Sequence, residues 1–309
     1  MSETAIFSDT FLAMGAHCDV VLPGLYADAA KETFQFIKKE VEQIEHTISR
    51  FSPVATIWEL NQAPKGEWLS VPTEIWEPLM VCYDFYQMSN GAFDITLAPL
   101  YAVWTQNENP SEEELSEARV KCGFDKVELD MDNHKIRFTE EGMEFDFAAI
   151  EKAIALDVLK ALLKEKGITN CIVSFEEDSV LAMGEHPAGQ PWPLGIRNQM
   201  EPNDFAHVFA AQNETLNSIG TVYIRDDGQG MKPRKVINPA SGQLVEGRKT
   251  VSVKAESAVL GAFIANSWLI LPENDKAILS DKFSNVEILE TTYTDDDVHT
   301  KLSILEGEE

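Results

Sequence analysis

Gly91-Ala92-Phe93-Asp94-Ile95-Thr96-Leu97-Ala98-Pro99-Leu100 is the stretch on which the reading of the whole chain turns. Gly91 stops the helical pattern ahead of it, as a residue without a Cβ does at a helix end. Asp94 and Thr96 can bond neighbouring backbone groups in a turn or cap, which Phe93, Ile95 and Leu97 pin to a core. Pro99 forbids a smooth helix through this point. From the residues alone this is a packed helix–loop corner.

Outward from that corner the chain alternates strand and helix patterns. Towards the N-terminus, residues 5 to 22 read as strand, loop and strand, with Cys18, Val20 and Leu22 alternating against polar neighbours. Phe34, Ile37, Val41, Ile44 and Ile48 recur at helical spacing after Asp28, a predicted N-cap. Ile75, Leu79, Cys82 and Phe85 predict a second amphipathic helix running into Gly91. Towards the C-terminus, Ser111 and Glu114 have the spacing of a capping box, and residues 122–138 read as a hairpin turning at Asp132-Asn133-His134. A helix ends at Gly167, Cys171–Phe175 is a buried strand, and alternating segments continue near 205–211 and 216–224. A strand over 250–254 and a helix from Ser257 to about Leu271 follow.

The 309 residues carry 52 Asp and Glu against 25 Lys and Arg, a formal charge of −27. Such a surface repels phosphate backbones and anionic lipid, so neither nucleic acid nor a membrane is an expected partner. Met1 to Thr10 has no basic residue and no long apolar run, so no secretory signal is expected. Cys18, Cys82, Cys122 and Cys171 are scattered without paired spacing, which suits reduced thiols in the cytoplasm. The six histidines show no metal-binding spacing, and no nucleophile elbow or Walker loop occurs. With no linker and no short repeat, the chain is expected to form one α+β unit over residues 1–309, two interleaved lobes of mixed sheet flanked by helices. The tail from about residue 291 is acidic, expected to be part edge strand and part disordered end.

Several blocks, in order, resemble the ApbE family of flavin transferases, which move FMN from FAD onto a protein Thr or Ser. Gly91–Leu100 is similar to the family's Gly-Ala-Phe-Asp-x-Thr-x-x-Pro-Leu, and Arg50-Phe51-Ser52 with Leu60-Asn61 to its Arg-Phe-Ser block. Met14-Gly15-Ala16 stands where the family opens its flavin site with Met-Gly-Thr. Trp192-Pro193-Leu194-Gly195-Ile196 keeps a family strand, and Asn238-Pro239-Ala240-Ser241-Gly242 keeps its turn chemistry. Glu144–Asp157 resembles Asp-x-Gly-Gly-Ile-Ala-Lys-Gly-Tyr-Ala-x-Asp: Asp146, Ile150, Lys152, Ala155 and Asp157 stay in register, while the glycines are Ala148, Ala149 and Ala153. Taken alone, Lys152 is an ordinary helix lysine and Arg50 an ordinary surface pair on so acidic a chain.

The resemblance implies an α+β fold, FAD and Mg²⁺ as ligands, and an acceptor protein. It implies Met14, Asp94, Lys152, Asp157, Asp178 and Asn238 as flavin-binding positions. In the family a helix carries Asp and Thr four residues apart as magnesium ligands; here those positions are Ala262 and Asn266, so Asn266 alone remains as a metal ligand. A family Gly-Gly-Asp turn is Glu176-Glu177-Asp178, putting negative charge where a pyrophosphate would pass. The parts that define a fold are kept and the parts that hold charge are changed. The expectation is therefore a flavin transferase with weak or no activity, the alternative being a non-catalytic flavin- or nucleotide-binding pseudoenzyme or a protein-interaction domain.

Overall fold

In the computed structural model, which describes residues 6–176, 178–201, 203–224 and 231–306, the chain opens on a hairpin. Strands β1 (Ile6–Ala13) and β2 (Ala16–Pro23) are joined by Met14 and Gly15 alone, at φ 51° and 69°. Two positive-φ residues give the tight turn whose twist matches paired strands. Helix α1 (Ala27–Ile48) buries Phe34, Ile37, Val41 and Ile48, the stripe its spacing predicts. Its N-cap is Tyr26; Asp28 lies inside the first turn, where a carboxylate still complements the positive end of the helix.

A smaller region follows: α2 (Thr56–Asn61), β3 (Leu69–Ser70), α3 (Thr73–Met88), α4 (Ala98–Gln106), α5 (Glu112–Val120), β4 (Val127–Asp130) and β5 (Lys135–Phe138). Ser111 and Glu114 form the predicted capping box in both directions. The chain then returns to its first sheet through α6 (Glu151–Glu165), β6 (Cys171–Phe175), β7 (Ser179–Met183), β8 (Trp192–Arg197), β9 (Phe205–Ala211), β10 (Glu214–Gly220), β11 (Val222–Ile224) and β12 (Met231–Pro233). Last come β13 (Arg248–Ala255), α7 (Ala258–Ile270), α8 (Ala277–Ser280), β14 (Ser284–Tyr293) and β15 (Val298–Glu306).

The main sheet has eight strands in the order β1-β2-β6-β7-β10-β13-β14-β15. The fold is α+β, as the sequence predicts, but the sheets expected to be mixed are antiparallel in every described pairing. Hairpins join β1–β2, β6–β7 and β14–β15, and a hairpin reverses direction where a parallel pair needs a long crossover. Leu181 and Ile288 point into a core shared with Ile37, Val41, Leu156, Leu159 and Phe263. Their neighbours Val180 and Leu289 face the other way, against Ile196 and Phe209 of the β8–β9 ribbon. The smaller region joins through aromatic packing: Phe85 of α3 stacks on Phe263 of α7 at 4.0 Å between centroids. The acidic tail is largely ordered as the β14–β15 hairpin; the end beyond Glu306 lies outside the described residues.

Candidate functional site

The corner read first in the sequence is held by a buried hydrogen-bond network. Thr96 donates to Asp94 Oδ1 from its backbone N (2.8 Å) and its hydroxyl (2.7 Å), and Gly123 N donates to Thr96 Oγ1 (2.6 Å). Asp146 N donates to Ile95 O (2.7 Å), tying the corner to the strand-to-helix block before α6. Trp104 Nε1 donates to Gly242 O (2.9 Å), and Lys235 Nζ to Trp104 O, so α4 is clamped to the Pro239 turn. Burial pushes the Asp94 carboxyl up to about 6, against the two Thr96 bonds that pull it down.

Beside this corner runs a cleft in three adjoining sections of about 400, 100 and 810 Å³. Arg234 and Ile219 line all three. The first section lies against Asp94, Tyr101, Asp146 and Lys235. The middle one lies under the start of α6, between Lys152, Asp178, Asn217, Ala262 and Asn266. The widest opens along the sheet past His17, Glu176, Arg197 and Tyr223.

Arg234 follows β12 directly, its Nη2 3.2 Å from Asp178 Oδ2 and its guanidinium 5.3 Å from the Tyr223 ring centre. Arg50 Nε lies 2.8 Å from Asp146 Oδ2 as an ion pair, although its N–H is not aligned for a hydrogen bond; Nη1 reaches Glu144 Oε2 at 3.3 Å. So Arg50 is both the ion pair its setting predicts and part of the cleft wall. Glu151, at the first position of α6, is pushed up to about 7, first by burial and then by the nearby Asp146 carboxylate, with Lys152 opposing. Asn217 is buried and its Oδ1 has no partner. Gly261 makes room for it: a Cβ there would come within 2.6 Å of Asn217 Nδ2.

Of the residues singled out by sequence, Asp94, Lys152, Asp178, Ala262 and Asn266 line this cleft. Met14, Asp157 and Asn238 are not among its lining residues. Met14 is buried in the β1–β2 turn and donates its N–H to Glu45 Oε1. Asp157 caps α7 instead, accepting from Ser257 Oγ (2.6 Å), Ala258 N (2.8 Å) and Val259 N (3.0 Å). Asn238 spends its Oδ1 on Ala240 N within its own turn. Sequence reading missed Arg234 and Asn217, both of which line the cleft. The one available signal for Arg234 was two adjacent cations, Arg234-Lys235, just ahead of the recognised turn in an acid-rich chain.

The alanines at the start of α6 fit without strain: Ala148, Ala149 and Ala153 all avoid the positive-φ region. Glu176 does not avoid it, at φ 51°, and it is exposed at the cleft wall; Glu177 lies outside the described residues. The residues at the position where the resemblance implies magnesium do not fit that ion. Ala262 offers a methyl group, and Asn266 turns its Nδ2 onto the backbone carbonyls of Ala262 (2.8 Å) and Ala149 (3.4 Å). Asp178, the carboxylate in that section, already faces Arg234. Among the described residues no group of three or more His, Cys, Asp or Glu is placed to hold a metal. Mg²⁺ prefers carboxylates and water in a strict octahedron.

Fold and cleft together define a class: an antiparallel α+β protein with an elongated groove, lined by cations and acids in equal number, where helix N-termini, sheet and a buried corner meet. The chain belongs to the ApbE family, whose model matches residues 14–289. It is 21% identical to FAD:protein FMN transferase of Haemophilus influenzae, over 97% of this chain and 90% of that protein. Its fold matches that of flavin transferase ApbE from Vibrio cholerae with a TM-score of 0.82 at 19% identity, covering 97% of each chain. The ApbE protein of Thermotoga maritima matches equally, with a TM-score of 0.82, 19% identity and 97% of each chain. No helix among the described residues is long and apolar enough to cross a membrane.

Proposed function

We propose that the cleft binds a flavin nucleotide, FAD in the first instance, and that magnesium-dependent transfer of FMN from it is very weak or absent. In that transfer an acceptor Thr or Ser hydroxyl loses its proton, bonds the FMN phosphorus and displaces AMP. The negative charge built up at the phosphoryl groups must be neutralised. One observation carries the reading: α7 presents Ala262 and an amide-occupied Asn266 to the middle section, where the family supplies an acid and a hydroxyl. Binding and transfer therefore separate: the groove and its cations remain, and the metal-holding donors do not. A non-catalytic flavin- or nucleotide-binding protein is the second reading, and the same α7 residues favour it. Four free, buried cysteines with thiol pKa values pushed up by burial fit a reducing compartment, the cytoplasm.

The test is magnesium-dependent release of AMP from FAD in the presence of a Thr-containing acceptor protein. We expect a rate at background. Ala262→Asp with Asn266→Thr should recover magnesium affinity, and activity should return only when Glu176 and Glu177 are also made Gly. Robust turnover by the unaltered chain, abolished by chelation, would overturn the reading and place the metal on other residues.

A further inference from the structure

We infer that the phosphate groups of the ligand are gripped by Arg234 and Lys152 directly, with no divalent cation between protein and ligand. The inference rests on the cleft being the flavin-nucleotide site, and goes further by naming what replaces the metal.

Three observations carry it. The first is charge. Arg50, Lys152, Arg197, Arg234 and Lys235 line the cleft and are matched there by an equal number of acids, whereas the whole chain has 25 basic and 52 acidic residues. The excess negative charge thus lies elsewhere on the molecule, and an anion entering the groove meets balanced charge. The second is position. Arg234 is common to all three sections, so a long ligand lying in the groove must pass it. Its contact with Asp178 uses one of five guanidinium N–H donors, and the ring of Tyr223 steadies the plane. Lys152 enters the middle section from the first turn of α6 and has no ion pair among the described residues. Helix amides and the positive helix end add to it there.

The third is the unpartnered Asn217 Oδ1, buried at the wall of the middle section. A buried carbonyl oxygen without a donor costs free energy, and a ligand hydroxyl or N–H placed here would remove that cost. One neutral oxygen is a poor share of a magnesium shell but a good partner for a sugar hydroxyl next to a phosphate. The donor set is therefore complementary to a phosphorylated polyol or sugar: cations for the phosphate, an acceptor for the hydroxyl.

The experiment is titration of the full chain with FAD, followed by flavin fluorescence, once with chelator and once with millimolar magnesium. We expect affinities within about twofold of each other, weakening as salt rises. Arg234→Gln should weaken FAD binding at least about tenfold in both buffers, Lys152→Gln several-fold, and Arg234→Lys less than Arg234→Gln. Riboflavin, which has no phosphate, should bind weakly to the unaltered chain and be indifferent to these changes; circular dichroism of each variant establishes that it folds. Binding at least tenfold tighter with magnesium would overturn the inference and leave the flavin site standing. Riboflavin binding as tightly as FAD would also overturn it. No flavin binding in either buffer would overturn the reading of the cleft itself.

Discussion

The two walls of the cleft are built on different terms. The corner from Asp94 to Trp104, with the turn around Gly242, is tied by buried hydrogen bonds whose donors and acceptors come from distant parts of the chain. The facing wall, from Ala148 to Ala153 at the start of α6 and from Ala262 to Asn266 in the middle of α7, presents mostly alanines. Altering the first leaves buried polar groups unpaired, which costs about 1–3 kcal/mol each. Replacing glycine by alanine on the second costs little and favours the helix. The corner wall therefore resists change and the facing wall tolerates it. A chain can then keep the family fold to a TM-score of 0.82 while its charge-handling residues move.

The comparison breaks most visibly at Trp104. Its ring is buried with Leu97, Leu100 and Leu115, and its indole N–H closes α4 onto Gly242. Trp104→Ala should lose about 3–5 kcal/mol in urea unfolding. Transitions followed by circular dichroism and by fluorescence should coincide, as for one folding unit. A loss below about 1 kcal/mol, or two separate transitions, would show that the corner is not the anchor.

Asp94 sharpens the contrast, because burial pushes its carboxyl out of its usual range. Its carboxyl, ordinarily near 3.8, is held at about 6. A raised folded pKa means that its contribution to stability is fully present below 3.8 and is lost as pH rises through 6. At pH 7 the charged, buried form burdens the fold. Asp94→Asn should therefore be more stable than the parent at pH 7, by about 2 kcal/mol, with the gap closing towards pH 4. Equal stability of the two proteins at both pH values would show that Asp94 titrates normally.

The fold was legible where its causes are local. The stripe from Phe34 to Ile48 and the Ser111–Glu114 box each lie within one element, and period and spacing reveal them. The site was legible only in part. Asp94 lines the first section of the cleft, Lys152 and Asp178 the middle one and Asn266 both, since block order fixes which ends of elements meet. Asp157 lies away from the cleft lining and caps α7: its partners, Ser257 to Val259, are about a hundred residues away, and no local pattern announces a carboxylate capping another helix. Asn238 bonds its own turn, so its chemistry is complete before any ligand arrives. Arg234 escaped notice because its importance is purely one of place: a cation after a short strand becomes central only once the sheet and α7 close around it.

The smallest expected effect falls at Glu176, at the cleft wall. Its backbone sits at φ 51°, a conformation that costs an L-residue about 1–2 kcal/mol and that glycine adopts freely. Glycine gives back about 0.5–1 kcal/mol through its greater freedom in the unfolded chain. Glu176→Gly should therefore change stability little, with a net gain of about 0.5 kcal/mol. The same change removes a carboxylate from the wall of the widest section, without touching Arg234 or Lys152. FAD affinity should rise a few-fold at low salt, and the gain should shrink at high salt, where a partly exposed charge is screened. A rise in stability with no change in affinity at any salt would mean that the glutamate is merely a strained turn residue and that the anion's path runs elsewhere in the cleft.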